Sequence, residues 1–219
     1  MSAERGPYAA VLFDLDGTLL SSTAAVERSW DRLAVEYAIP AERFFAYHGM
    51  TARAILERLL PDRSADERET AHERIVELES SDTEGVEALP GAAEALAALV
   101  PTGRCAIVTS GSRVLARARL AAAGVDVPAV VITADDVEHG KPDPEPYLTA
   151  ARALGVAAAD CLVVEDAAAG LASGRASGAT TLGLRTTLGA GIVEADLVVD
   201  DLSAVRLEPA VGGVLLLRR

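Results

Sequence analysis

Lysine is almost missing from this chain of 219 residues: of 20 Lys and Arg, one alone, Lys141, is lysine. A position that stays lysine against such a bias asks for a compact ammonium that a planar guanidinium does not replace. Chance must place a single lysine somewhere, but Lys141 falls in Gly140-Lys141-Pro142-Asp143-Pro144, a loop just past an apolar stretch. Aromatic residues are scarce at 4%, so Ala, Leu and Val must build the core. Positive charge is scarce too. The net charge of −13 argues against nucleic acid and anionic membrane surfaces as partners. An anionic ligand must then be captured by local positive groups against the overall field. There are two cysteines, Cys105 and Cys161, and both lie in apolar runs. They read as buried free thiols, not as a disulfide or metal site. No apolar stretch approaches a membrane span, and residues 1–8 lack the basic and apolar regions of a signal peptide. The expectation is a soluble cytoplasmic protein, a monomer or weak homodimer. What is present is 50% hydrophobic with mean hydropathy +0.25, a globular chain long enough for one core or a core with a small insert.

The stretch around which the rest is organised is Ala10-Val11-Leu12-Phe13-Asp14-Leu15-Asp16-Gly17-Thr18-Leu19-Leu20. Its apolar start, bounded by a glycine, reads as a buried strand. Two carboxylates, Asp14 and Asp16, then sit at the strand's C-terminal end, where open α/β sheets bind ligands. Two acids this close ionise together only with a cation between them. Asp-x-Asp at a strand end is therefore a hard-cation site or a nucleophile paired with an acid/base. A turn capping the next helix would explain Asp16-Gly17 but not Asp14 directly behind Phe13.

Between residues 21 and 84 no strand pattern appears; helical patterns run near 24–37, 41–47, 51–60 and 66–79. Ser21-Ser22-Thr23 offers side chains to cap the first of these. An all-helical insert directly after a strand end reads as a small cap over that end. Residues 83–85, with 20–22, would form its two-stranded hinge. From Val86 onward helices and strands alternate: strands at 105–108, 130–132, 161–164, 180–184 and 197–199, helices at 91–100, 114–123, 145–154 and 170–177. The fold class is α/β: a Rossmann-like parallel sheet with helices on both faces, core 1–20 and 85–219, and helical cap 21–84. The apolar tail at 214–217 is strand-like but has no evident place.

Polar groups stand at or just past several strand ends: Asp14 and Asp16, Thr109 and Ser110, Lys141, and Glu165 with Asp166. Together these fit phosphoryl transfer, which needs positioning and charge neutralisation. Asp14 is the candidate nucleophile, and Asp16 the acid/base that protonates the leaving oxygen and later deprotonates water. A magnesium ion on Asp14 and Asp166 would bridge nucleophile and phosphate. The Thr109 hydroxyl and the amides of Ser110 and Gly111 would cradle the phosphate, and Lys141 would neutralise charge in the transition state.

The first motif, an apolar strand followed by Asp14-x-Asp16-Gly17-Thr18, resembles that of the haloacid dehalogenase superfamily of phosphatases. All four motifs follow in order, and the resemblance covers essentially the whole chain. It implies that the Asp16 main-chain carbonyl is a further metal ligand and that Glu165 supports the metal through water. Segments 106–112 and 140–147 resemble the sugar-phosphate and glycerol-phosphate phosphatases with a small helical cap. One departure is Ser21, where many relatives carry Asp. The expected substrate is a small phosphorylated metabolite, a sugar or polyol phosphate. His48 and Arg53, in the cap, are the candidates for specificity; His72, His139 and Asp135-Asp136 read as surface positions. A sugar-phosphate mutase of this superfamily carries a histidine where Val26 stands, and a phosphonate hydrolase needs a lysine in the cap, where this chain has none; both readings are disfavoured. Phosphoglycolate stays open as a substrate. A non-enzymatic phospho-Asp switch is the alternative from a different class, and magnesium-dependent turnover separates the two.

Overall fold

The computed structural model describes residues 3–39, 50–187 and 194–219. The chain enters through Ala3–Tyr8 (β1) and passes into Ala10–Phe13 (β2), buried along its whole length. A tight turn at Gly17 (φ +88°) brings it back to Leu20–Ser21 (β3). Three helices follow: Thr23–Tyr37 (α1), Ala52–Leu59 (α2) and Ala65–Ser81 (α3), the last opened by a capping box between Ser64 and Glu67. Glu87–Ala88 (β4) then pairs antiparallel with β3, closing the insert where it began. The helical pattern expected at 41–47 lies outside the described residues.

The rest alternates: Ala92–Leu99 (α4), Cys105–Val108 (β5), Arg113–Ala123 (α5), Val130–Ile132 (β6), Glu145–Ala153 (α6), Cys161–Glu165 (β7), Ala168–Ala176 (α7), Thr180–Leu184 (β8) and Leu197–Val199 (β9). The six strands β6-β5-β2-β7-β8-β9 form one parallel sheet in that order. Side chains alternate across it, as strand geometry requires. Val11, Phe13, Cys105, Ile107 and Val164 pack against α4 and α5, while Ala10, Leu12, Ala106, Val108 and Val163 pack against α6. Both cysteines are buried and free, and burial pushes each thiol up to about 11. Chain order reverses direction between β2 and β7, the switch point at which such sheets open a crevice at their strand ends.

Helices α1, α2 and α3 share a separate cluster in which Trp30 and Leu33 meet Ile55, Leu56 and Ile75. The apolar tail belongs to a second sheet. Val205–Ala210 (β10) and Gly213–Arg218 (β11) form a hairpin, and β11 lies between β10 and β1. The sequence hid two of its strands because each is interrupted: β1 by Gly6-Pro7, β10 by Pro209. Proline is confined to sheet edges, and both of these are edge strands. Among the described residues no helix is long and apolar enough to cross a membrane.

Candidate active site

The switch point carries the acids. The Asp14 amide donates to Val164 O at 3.0 Å, so the β2–β7 pairing continues one residue past β2 and sets Asp14 beside Glu165. Ligand oxygens of Asp14, Glu165 and Asp166 lie within 4.8 Å of one another, all three buried. Lys141 neutralises them from below. Its ammonium donates to Asp14 Oδ1 at 2.6 Å, to Glu165 Oε1 at 2.7 Å and to Val108 O, the last carbonyl of β5, at 2.9 Å. An ammonium has three donors, and all three are used. The Tyr147 ring lies beneath it, 5.1 Å away at the centroid. Burial works against this charge, but Asp14 and Glu165 outweigh it and hold the ammonium above its ordinary range.

Glu165 is pinned on every side. Oε1 accepts from Lys141 and, at 2.9 Å, from the Tyr147 hydroxyl; Oε2 accepts from the amides of Asp166 at 3.0 Å and Ala167 at 3.1 Å. That uses all of the roughly four acceptor positions of a carboxylate. Gly170 leaves room for this arrangement, since a Cβ there would overlap the Glu165 carboxylate. Gly170→Ala is therefore expected to cost about 1–3 kcal/mol. Any activity of the site should fall with it, because Lys141 loses one of its fixed partners. A melting curve and an activity assay check both, and an unchanged melt would show that Glu165 yields freely.

Asp166 accepts from the Thr18 hydroxyl at 3.1 Å and from Thr187. Burial first, then the charge of Glu165, pushes its carboxyl up to about 7. Burial and the same neighbour raise Asp14 well above the usual range, against the pull of Lys141. Oxygen donors crowded until they resist ionising are the set that a hard divalent cation suits. A raised carboxyl binds more protons folded than unfolded, so stability falls as pH rises from the ordinary 3.8 toward about 7. In chelator, the melting temperature is expected to drop between about pH 5 and about pH 8, and added magnesium to raise it more at the higher pH. Equal magnesium shifts at both would contradict this.

Thr109 is buried, and its hydroxyl oxygen accepts from the Gly111 amide at 3.0 Å. The cap of α5 is Ser112, which takes the Leu115 amide at 3.3 Å, so residues 109–111 are not consumed by capping that helix. The side chain of Asp16 has two partners: Oδ1 accepts from the Ser22 hydroxyl at 2.7 Å, and Oδ2 lies 2.7 Å from Arg119. Ser22 occupies the N-cap position of α1 but makes no side-chain cap bond; its backbone (φ −129°, ψ −1°) is not in the extended cap geometry, and its hydroxyl donates to Asp16.

Above these groups lies a cavity of about 480 Å³. Asp14, Asp16, Asp166 and residues 109–111 line its floor; Arg53, Glu57, His72 and Glu79 line the side formed by the helical insert. Lys141 and Glu165 sit behind the floor, buried at 3% and 1% exposure. Arg53 is exposed at the start of α2 and forks onto Glu69. His48 lies outside the described residues. His72, expected at the surface, is instead half-buried in the cavity wall, with burial and then Arg53 holding its imidazole below its ordinary value. Asp135 also lines the cavity and takes the Arg113 amide at 2.9 Å, while His139 is exposed.

Sequence reasoning missed Tyr147, Gly170, Arg119 and Glu79. Two of these left a trace: Arg119 shares the buried stripe of α5 with Leu115, Ala116 and Leu120, and Glu79 that of α3 with Ala71, Ile75 and Leu78. A charge on an apolar helix face asks for a buried partner.

The model of the haloacid dehalogenase-like hydrolases matches residues 8–178. The chain is 39% identical over 210 residues to hexitol phosphatase A of Escherichia coli, covering 94% of this chain and 97% of that protein. It is 36% identical over 218 residues to 2-deoxyglucose-6-phosphate phosphatase 1 of Saccharomyces cerevisiae, covering 89% and 88% of the two chains. The crystal structure of a hydrolase from Pseudomonas syringae superposes with a TM-score of 0.78 at 30% identity, covering 89% of this chain and 94% of that one. With a family model over residues 8–178, a matching fold and relatives aligned over most of its length, the chain belongs to the haloacid dehalogenase-like hydrolases.

Proposed function

We propose that this phosphoric monoester hydrolase acts on a small sugar or polyol phosphate through a phosphorylated Asp14. The observation that carries the reading is the Lys141 ammonium, 2.6 Å from Asp14 Oδ1 and 2.7 Å from Glu165 Oε1, on a floor that opens into a metabolite-sized cavity. A carboxylate of Asp14 attacks phosphorus, the bond from phosphorus to the ester oxygen breaks, and Asp16 delivers a proton to that oxygen as the alcohol leaves. Asp16 then takes a proton from water, which attacks the phosphorylated Asp14 and releases phosphate. Asp14 and Asp166 would hold magnesium, which supplies charge neutralisation between nucleophile and phosphate. Glu165 serves by holding Lys141, with its acceptors already filled. Thr109 and Ser110, which line the floor at the end of β5, would meet the phosphate, while the Gly111 amide is already given to Thr109.

Residues 21–84 act as a cap: its described helices α1, α2 and α3 pack around their own core and wall the cavity opposite the acids. Arg53 and His72 are the residues of that wall best placed to meet substrate hydroxyls. Similarity to a hexitol phosphatase and a deoxysugar-phosphate phosphatase supports polyol and sugar leaving groups. The test is phosphate release from a panel of hexitol, sugar, glycerol and glycolate phosphates, with magnesium and with chelator. Magnesium-dependent release from hexitol or sugar esters is expected. Preference for glycolate phosphate would overturn the substrate class, isomerisation of a sugar 1-phosphate would indicate a mutase, and silence throughout would favour a phospho-Asp switch.

A further inference from the structure

One buried cation has no part in the chemistry above. Arg119 lies on α5 with its side chain 5% exposed, one terminal nitrogen 2.7 Å from Asp16 Oδ2. The other donates to Glu79 Oε1, on α3, at 3.2 Å. The Trp30 side chain, on α1, donates to Glu79 as well. A continuous chain of contacts thus joins α1, α3 and α5 to the carboxylate assigned as acid/base.

This arrangement is costly for stability alone. Burying a guanidinium and a carboxylate is repaid only when every donor is satisfied, and apolar replacements of similar volume often pack as well. Here the Arg119 Nε is buried with no hydrogen-bond partner. Leu115, Ala116 and Leu120 would accept an apolar neighbour on that stripe. What an apolar residue cannot do is orient Asp16, whose side chain is 26% exposed beside the cavity. Ser22 holds one of its oxygens and Arg119 the other, which fixes the plane of the carboxyl group.

Resting on the phosphatase reading, we propose that Arg119 is a positioning residue for Asp16, itself held by Glu79, and that the pair governs proton delivery to the leaving oxygen. Such a role depends on the leaving group. An alkoxide needs the proton as its bond to phosphorus breaks; p-nitrophenolate leaves without one. The parameter kcat/KM covers the steps up to that departure.

The experiment measures kcat/KM with magnesium for a hexitol 6-phosphate and for p-nitrophenyl phosphate, in the wild type, Arg119→Met and Glu79→Gln. Loss of a well-placed general acid costs about 10²-fold or more. Arg119→Met is expected to lose about 10²-fold on the hexitol ester and less than about 5-fold on the aryl ester. Glu79→Gln, nearly isosteric, should shift the ratio in the same direction by about 10-fold and decides the matter if Arg119→Met does not fold. In an Asp16→Asn background the same substitutions should add little. Equal losses on both esters, or no loss, would overturn the proposal. A wild type that hydrolyses neither ester would overturn the phosphatase reading instead, a result the two-ester comparison separates from the first.

Discussion

Asp14→Asn is expected to remove phosphate release by about 10⁴-fold or more while the protein stays folded. The activity loss follows from the lone pair that attacks phosphorus, since an amide oxygen does not replace a carboxylate nucleophile. The fold should tolerate the change for electrostatic reasons. Asp14 is a buried carboxylate set against Glu165 and Asp166, and burial and those charges already disfavour its ionised form. A neutral isostere relieves that repulsion, and the asparagine oxygen can still accept from Lys141. Lys141 also keeps Glu165 and Val108 O. A melting temperature within about 5 °C of the wild type is expected. Acid-quenched wild type should carry a phosphoryl group on the peptide containing Asp14, and the variant none. Substantial turnover in the variant would exclude Asp14 as nucleophile, whereas collapse of the melt would mean that its role is structural.

Lys141→Arg should be nearly as damaging although the charge is kept. One nitrogen of Lys141 meets three acceptors converging on a point, at 2.6, 2.7 and 2.9 Å, in a space 1% exposed. A guanidinium spreads its donors across a larger plane and cannot meet all three there. Loss of one or more of these contacts leaves buried carboxylate charge poorly compensated, at up to about 3–5 kcal/mol. Catalysis should drop by about 10²–10³-fold, the scale of one preorganised charge-stabilising donor. Activity within a few-fold of the wild type would mean that the chain's single lysine answers to charge alone. A denaturant melt alongside the assay separates loss of the site from loss of the fold.

Much was legible in the sequence because it is local. Buried parallel strands announce themselves as apolar runs, and β2, β5, β6, β7, β8 and β9 all lie where such runs stand. Chain alternation implied the parallel sheet, and a sheet of this kind gathers its strand ends along one rim. Such a rim is where Asp14, residues 109–111 and Asp166 line the cavity, with Lys141 buried just behind them. The isolated lysine was legible from composition alone.

Partnerships across long sequence separation were not legible. Arg119 and Glu79 lie 40 residues apart on different helices, and only the fold joins them to each other and to Asp16. Tyr147 has an ordinary apolar-stripe position on α6, and only the fold sets its hydroxyl on Glu165. The tail at 213–218 pairs with residues 3–8, nearly the whole length of the chain away, and its partner strand β1 is broken by Pro7. Sequence by itself determined the chemistry available at each strand end, since residue type and apolar spacing are written position by position. Tertiary structure alone decided which charges share a partner, because that depends on which distant helices the sheet brings face to face.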